Sequence, residues 1–312
     1  MGADRGAAGR GLPGGSLGRS CSSRAGGSPV LPLTGCVITF NEEDNVEACL
    51  ESLSFCAELI VVDSHSTDRT RELAEARGAR VIERDWPGHI EQKNFAIEQA
   101  TSEWVLCLDA DERVTPELRA RIEALFADPA GLAEGYTVNR RNIYLGRWIR
   151  GGGFYPDKKL RLFRAGRGRW EGINPHDHVY LDPPGKVTDL GLDIEHYTYR
   201  DIADHLKTID YFAEIAAREK LSRGQRGVAL NLLFNPPWKL FKMFVLQGGF
   251  RDGWRGLIVA ALGAFYVFLR YAKLWELIHV KGEQAGGGQP VKYGRRGEPE
   301  ALPAPAEGAA AE

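Results

Sequence analysis

The stretch that most constrains this chain is residues 104–113, which read Trp-Val-Leu-Cys-Leu-Asp-Ala-Asp-Glu-Arg. Five apolar residues in a row suit a strand buried on both faces, as in a parallel sheet. The run then breaks into two carboxylates, Asp109 and Asp111, one small residue apart, followed by Glu112. A parallel strand ending in acid places that acid at the carboxyl edge of a sheet, where open α/β folds bind ligands. Carboxylates this close repel each other unless a cation lies between them or one is protonated. A hard divalent metal accepts such oxygens and is commonly bound together with substrate phosphate. A solvated acidic loop after a strand has the same sequence signature, so this stretch alone leaves both readings open.

The residues before it supply the neighbours such a strand needs. Residues 36–40, Cys-Val-Ile-Thr-Phe, form a short apolar run bounded by Gly35 and Asn41, and Val46, Cys49, Leu50 and Leu53 follow at helical spacing. Residues 59–63, Leu-Ile-Val-Val-Asp, read as a second strand ending in acid. The polar turn 64–68 precedes a helix over 69–77, which Gly78 stops; within that turn Asp68 suits a helix cap. A short strand over 80–83, a helix over 90–100 and the strand at 104–108 continue the alternation, which predicts an α/β fold with a mostly parallel sheet and helices on both faces. Thr115-Pro116 starts a helix that runs to about Phe126. Residues 135–187 read as β segments joined by glycine-rich loops, with Gly151-Gly152-Gly153 expected to be the most flexible. Residues 201–220 read as an amphipathic helix.

The three strand ends together offer Thr39, Asn41 and Glu42, then Asp63 with Ser66, Thr67 and Asp68, then Asp109 and Asp111. A nucleotide lying across that edge would meet all three. Neither a Gly-x-Gly-x-x-Gly turn nor a Gly-x-x-x-x-Gly-Lys-Ser/Thr loop occurs where it would be needed, which disfavours a dinucleotide fold and a P-loop. A net charge of −2 gives no reason to expect nucleic acid as a partner. Five cysteines without a Cys-x-x-Cys pair argue against a disulfide framework or structural zinc, and Cys36, Cys49, Cys56 and Cys107 fall among apolar neighbours. No signal-peptide run opens the chain, so a reducing, cytoplasmic location is expected.

Residues 236–281 differ from the rest. They hold seven Lys/Arg against two acids, ten aromatic residues, and a fourteen-residue uncharged stretch between Arg255 and Arg270. That composition suits a membrane interface, where aromatic rings settle and basic side chains meet anionic lipid. A core helix or a short tilted span are the alternatives.

The motifs Thr-Phe-Asn-Glu-Glu, Val-Val-Asp-Ser-x-Ser-Thr-Asp and Asp-Ala-Asp-Glu resemble those of family 2 inverting glycosyltransferases with a GT-A fold. The nearest likeness is to the bacterial lipopolysaccharide core glycosyltransferases of the β-1,4-glucosyltransferase type. It extends through Gln92-Lys93-Asn94, Pro156-Asp157-Lys158-Lys159-Leu160-Arg161-Leu162-Phe163, Trp170-Glu171-Gly172, His176-Asp177, the Gly249-Phe-x-Asp-Gly-Trp254 motif and Lys273-Leu-Trp-Glu276. It covers residues 36–279.

The resemblance implies roles. Thr39, Asn41 and Glu42 would line the nucleotide pocket, Asp63 would bind uracil or ribose, and Lys93 would lie near the diphosphate, although a solvated helix lysine would look no different. Asp111 would be the main ligand of Mg²⁺ or Mn²⁺, and Asp109 would touch ribose and metal. Asp177, in a His-Asp pair where the family usually has His-Glu, would be the general base. His178 is a rival for that role, or else a metal or diphosphate contact. His176 would contact the diphosphate or position the base, and Asp157 would contact a sugar.

The implied reaction moves a sugar, with glucose the leading choice, from a UDP-sugar to a lipid-linked or lipopolysaccharide-core acceptor. The enzyme would sit on the cytoplasmic face of the inner membrane. A polyprenyl phosphate or another glycolipid is the alternative acceptor, and a non-catalytic membrane scaffold is a third reading. The expected organisation is a tail over 1–29, the GT-A domain over 30–200, a helical segment over 201–281 and a second tail over 282–312.

Overall fold

A computed structural model describes residues 30–173, 176–225 and 228–282, without the side chains of residues 130, 173 and 176. The expected tails lie outside the described residues, apart from Gly282.

The chain begins with the predicted alternation: β1 (Leu31–Thr39), α1 (Val46–Ser52), β2 (Cys56–Asp63), α2 (Thr70–Ala76), β3 (Arg80–Glu83), α3 (His89–Glu98) and β4 (Trp104–Asp109). The short β5 (Glu112–Val114) leads into α4 (Pro116–Ala127), where Thr115 caps the helix by accepting the Leu118 N–H. Then come β6 (Gly135–Tyr144), β7 (Arg147–Trp148), β8 (Lys158–Arg164), the β9–β10 hairpin (Gly168–Ile173, His176–Leu181) and β11 (Val187–His196). The main sheet has the order β3-β2-β1-β4-β8-β6-β11-β5. Strands β3, β2, β1 and β4 are all parallel, as are β6 and β11, while β8 is inserted antiparallel between β4 and β6. This is the GT-A type of α/β fold, with a mostly parallel sheet.

Register explains why the strand ends converge. Thr39 lies opposite Asp63, and Ile38 opposite Asp109, so three carboxyl ends finish level with one another. Burial holds that register, because slipping a strand by one residue would turn its apolar set to the wrong face. Leu33, Val37, Val61, Leu106 and Leu108 face α1, α2 and α4 on one side. Cys36, Ile60, Val62, Val105 and Cys107 face α3 and the β9–β10 hairpin on the other. Full burial of each aliphatic side chain contributes about 1.5–3 kcal/mol. Cys36, Cys49, Cys56 and Cys107 are buried free thiols, as their apolar surroundings implied.

From Ile202 onward the described chain is helical: α5 (Ile202–Ser222), α6 (Val228–Phe241) and α7 (Gly253–His279). Asp201 caps α5 through the Asp204 N–H. Helices α6 and α7 are joined by a π-turn at Lys242–Leu246 and a 3₁₀ turn at Gly249–Asp252. One side of α7 packs on α5 and α6 through Val267, Tyr271, Leu274 and Leu277. Exposed rings remain on α6 (Phe234, Trp238), on the turn (Phe250) and on α7 (Phe268, Trp275), and Trp254 on α7 is 80% exposed. The stretch Gly249–His279 is long and apolar enough to cross a membrane, and only 28% of its most apolar window is buried. This exposed apolar helix fits a membrane-associating segment.

The glycine triplet departs from the sequence expectation. Gly152 and Gly153 have positive φ (67° and 81°), but the loop is packed rather than slack. A Cβ on Gly151 would come within 2.4 Å of the Gly248 carbonyl oxygen, so glycine here serves close approach of two backbones.

Candidate active site

The β1–β2 side of the carboxyl edge is built by hydrogen bonds between strand ends and the turns that follow them. Asn41, with φ of 54°, donates its N–H to Ser66 Oγ (2.9 Å) and accepts the Thr67 N–H on Oδ1 (2.9 Å). The Glu42 N–H donates to Thr70 Oγ1 at 2.8 Å. Asp63 is fully buried and accepts from Thr39 Oγ1 (2.8 Å), the Ser66 N–H (2.7 Å) and Ser66 Oγ. Its carboxylate therefore fastens the β1 and β2 ends together. Asp68 accepts the Thr70 N–H and hydroxyl just ahead of α2, although the N-cap position itself is Arg69 and not Asp68.

The acidic stretch divides into separate tasks. Asp109 meets two cations: Lys93 Nζ lies 2.9 Å from Oδ1, and Arg161 Nη2 lies 3.0 Å from Oδ2. Burial by itself would push the Asp109 carboxyl up, but Lys93 and Arg161 more than reverse this and hold it well below the usual range. Glu112 is fully buried. It pairs with Arg161 through Oε1 and accepts the Asp109 N–H on Oε2 (3.0 Å). Burial would lower the Arg161 guanidinium, yet Glu112 and Asp109 raise it, so the cation persists in the interior. Arg140 lies 3.7 Å from Glu112 and donates to Asp157 at 2.8 Å, while Lys159 pairs with the other Asp157 oxygen.

Lys93 is not a solvated lysine. Its side chain is 11% exposed, and Nζ lies 2.8 Å from Asp177 Oδ2 and 4.2 Å from the centre of the Trp170 ring. The ammonium thus bridges the end of β4 to the β9–β10 hairpin. Asn94, one residue along α3, fixes that hairpin by bonding both the N–H and the carbonyl of Trp170. His178, on the neighbouring β10 position, points to the opposite face, as strand alternation requires. It is exposed, with its ring against Tyr180 at 4.3 Å, so the structure does not bring it to Asp177. The His176 side chain lies outside the described residues.

Asp111 meets a residue that sequence reasoning missed. His196, buried at the end of β11, places Nε2 3.2 Å from Asp111 Oδ2. Asn142 donates Nδ2 to the Phe154 carbonyl (3.0 Å), which turns its Oδ1 toward His196 Nδ1 at 2.6 Å. Thr198 Oγ1 also lies 3.0 Å from Nδ1, so that side of the ring is braced by two polar groups while Nε2 faces the carboxylate. An imidazole nitrogen and a carboxylate oxygen side by side are both metal-ligand types. Their chemistry fits a divalent ion, with Asn142 orienting the imidazole in the way metal-binding histidines are oriented. Among the described residues no group of three or more His, Cys, Asp or Glu converges, so further ligands would come from substrate phosphate or water. The available signal was periodicity: Leu190, Leu192 and Ile194 alternate inward on β11, and the next inward position is a histidine.

A buried acid–base network thus lies at the carboxyl edge of a GT-A sheet. The glycosyl transferase family 2 model matches residues 35–179. The chain is 31% identical over 259 residues to the lipopolysaccharide core biosynthesis glycosyltransferase LpsC of Rhizobium meliloti, spanning 80% of this chain and 93% of the relative. It is also 31% identical over 251 residues to an uncharacterized glycosyltransferase, RT0209, of Rickettsia typhi, covering 77% of this chain and 86% of that one. Among solved structures, S. aureus TarS superimposes with a TM-score of 0.41 at 14% identity, over 80% of this chain and 92% of that chain. The chain belongs to glycosyl transferase family 2 and is an enzyme that transfers a hexosyl group.

Proposed function

We propose that this enzyme transfers a sugar, with glucose the leading choice, from a UDP-sugar to a lipid-linked or lipopolysaccharide-core acceptor with inversion at the anomeric carbon. The observation that carries the reading is the Lys93 ammonium, which joins Asp109 at 2.9 Å to Asp177 at 2.8 Å. It brings the donor edge and the candidate base into one cluster. The name of the Rhizobium relative supports a lipopolysaccharide-core acceptor.

In this reading Thr39, Asn41 and Glu42 receive the nucleoside, with Asp63 shaping the turn beneath it. Asp177 takes the proton of the acceptor hydroxyl as its oxygen bonds to the anomeric carbon. The bond from that carbon to the diphosphate breaks, and UDP leaves with the electron pair. Such general-base assistance is typically worth ~10²–10⁴-fold. Lys93, freed from part of its carboxylate pairing as Asp177 is neutralised, offers positive charge to the departing diphosphate. Asp111 and His196 would hold Mg²⁺ or Mn²⁺, which when bound supplies Lewis-acid neutralisation of the leaving group. Asp109, held by Lys93 and Arg161, contributes orientation and a ribose contact.

The exposed aromatic face of α6 and α7 rests on the cytoplasmic leaflet of the inner membrane in this proposal. An in-plane seat is favoured over a span because α7 is held to the rest of the enzyme near both ends. Arg255 donates to the Leu145 carbonyl (3.0 Å), and Lys273 pairs with Asp210 (2.8 Å) and Glu214 (3.3 Å).

Calorimetry of UDP binding with and without Mn²⁺ tests the donor half, with Asp111→Ala expected to remove the metal-dependent part. Absence of any metal-dependent binding by the unmodified enzyme refutes the donor site. Asp177→Asn tests the acceptor half. It should keep UDP binding and lose at least about 100-fold in transfer to a sugar hydroxyl. Full activity in that variant would favour a phosphate acceptor, which needs no base.

A further inference from the structure

The turn between α6 and α7 carries an acid that the reaction itself does not use. Asp252 accepts the Gly151 N–H on Oδ2 at 2.7 Å and the Arg150 N–H on both oxygens at 3.2 Å. The Gly152 N–H donates to the Gln247 carbonyl at 3.0 Å in the same turn. The fit is close: a Cβ on Gly151 would strike the Gly248 carbonyl, and one on Gly256 would meet the Gly249 carbonyl oxygen at 1.9 Å. The loop over residues 149–154 is therefore clamped to the start of α7.

That loop ends at the metal side of the site. The Phe154 N–H bonds back to the Gly151 carbonyl (3.2 Å), and the Phe154 carbonyl accepts Asn142 Nδ2 (3.0 Å). Asn142 Oδ1 lies in hydrogen-bond contact with His196 Nδ1 at 2.6 Å, and His196 Nε2 faces Asp111 at 3.2 Å. An unbroken series of hydrogen bonds runs from Asp252 to the imidazole. On the other side of Asp252 lie Phe250 and Trp254, 53% and 80% exposed, on the face assigned to lipid.

We propose that Asp252 is a positioning residue for the metal end of the donor site: it holds the 150–154 loop so that Phe154 and Asn142 present His196 Nε2 to the ion beside Asp111. The inference rests on the assignment of that ion to Asp111 and His196. Its physical basis is preorganisation. An amide can orient a ligating imidazole only if the amide is itself held, and loss of such outer support typically lowers metal affinity by about 10–100-fold. Without the carboxylate, the two N–H groups of Arg150 and Gly151 lose their acceptor and the loop loses its anchor. The aromatic face and the metal site then become mechanically independent.

The test is Mn²⁺ affinity, read as free Mn²⁺ by electron paramagnetic resonance on the full chain in detergent, in the presence of UDP. The unmodified enzyme, Asp252→Ala, Asp252→Asn and His196→Ala are compared. The expected results are a roughly 10-fold or greater weakening in Asp252→Ala, partial recovery in Asp252→Asn, which keeps one acceptor oxygen, and loss of binding in His196→Ala. The Mn²⁺ concentration for half-maximal activity should rise in parallel, with kcat at saturating Mn²⁺ falling much less. If Asp252→Ala does not fold, Asp252→Asn decides alone, by a measurable weakening or none. Unchanged affinity in the folded Asp252 variants, beside a defective His196→Ala, overturns the positioning role and leaves the metal site standing. Unaltered affinity in His196→Ala, or no binding by the unmodified enzyme, overturns the metal assignment and the inference with it.

Discussion

Replacing Glu112 with Gln keeps the shape of the side chain and removes one charge, which isolates the electrostatic part of the buried network. Glu112 is fully buried and Arg161 is 3% exposed, so water cannot take over the lost partner. Removing one member of a buried pair typically costs about 3–5 kcal/mol, because the remaining charge is left uncompensated. Here Arg161 keeps Asp109 at 3.0 Å, which places the expected loss at the low end, about 3 kcal/mol. For a domain of this size that is a fall of roughly 6–12 °C in Tm. Differential scanning fluorimetry measures it, with Glu171→Gln as the control. Glu171 pairs with Arg169 at 2.8 Å, but the two side chains are 44% and 71% exposed, and an exposed pair of this kind is worth less than about 1 kcal/mol. Equal Tm shifts in the two variants, or none in Glu112→Gln, would refute the reasoning that Glu112 is the counter-charge on which Arg161, and through it Asp109, depends.

Other expectations follow from the same structure. Glu58 accepts Thr34 Oγ1 (2.7 Å) and the Thr101 N–H (2.9 Å) and pairs with Arg80; burial opposes ionisation, but these bonds outweigh it and lower its pKa. Its contribution to stability is thus present above the unfolded carboxyl value of about 4.3 and is lost as pH falls through the lower folded value. Urea titrations from pH 6 to 3 should show a steeper acid loss for the unmodified enzyme than for Glu58→Gln, and parallel curves would count against it. Gly151→Ala should destabilise by about 1–3 kcal/mol or displace the turn at Gly248, visible as a lowered urea midpoint. The double change Trp254→Ser, Phe265→Ser removes two exposed rings from α7 and should weaken sedimentation with anionic vesicles about 10-fold or more while leaving UDP binding intact. Vesicle binding unchanged in that variant removes the lipid assignment for this face.

The two halves of the active site are supported in different ways. The edge at the ends of β1 and β2 is held by the Asp63 carboxylate with backbone and hydroxyl groups, on strands buried on both faces. The surroundings of Asp177 and His196 hang on long connections: the β9–β10 hairpin, the loop over residues 149–154 and the end of β11. Lys93 ties the hairpin to β4 through Asp177 and Asp109, Asp252 ties the 149–154 loop to the start of α7, and Arg161 joins Asp109 to Glu112. Removing any of them should therefore loosen geometry at a distance rather than abolish the fold.

Much of this was legible in the chain itself. Short apolar runs ending in Thr39, Asp63 and Asp109 specify parallel strands, because only burial on both faces suits such runs, and parallel pairing sets their polar ends side by side. Thr115-Pro116 and Asp201 specify helix starts through local capping chemistry. The apolar, aromatic-rich character of α7 is legible too, since composition needs no partner to be read. The partnerships across the site were not. Glu112 had no visible role until Arg161 was placed 49 positions away in sequence. Asp177 meets Lys93 across 84 positions, and His196 meets Asp111 only because β11 runs beside β6 and β5 at the far side of the sheet. Gly151 reads as a flexible residue in sequence and is a point of close backbone contact in the fold. Local patterns act through neighbours three or four residues apart, so the sequence determines the elements and the acids at their ends. Which cation neutralises which acid depends on strand order and crossover, and only the tertiary structure decides it.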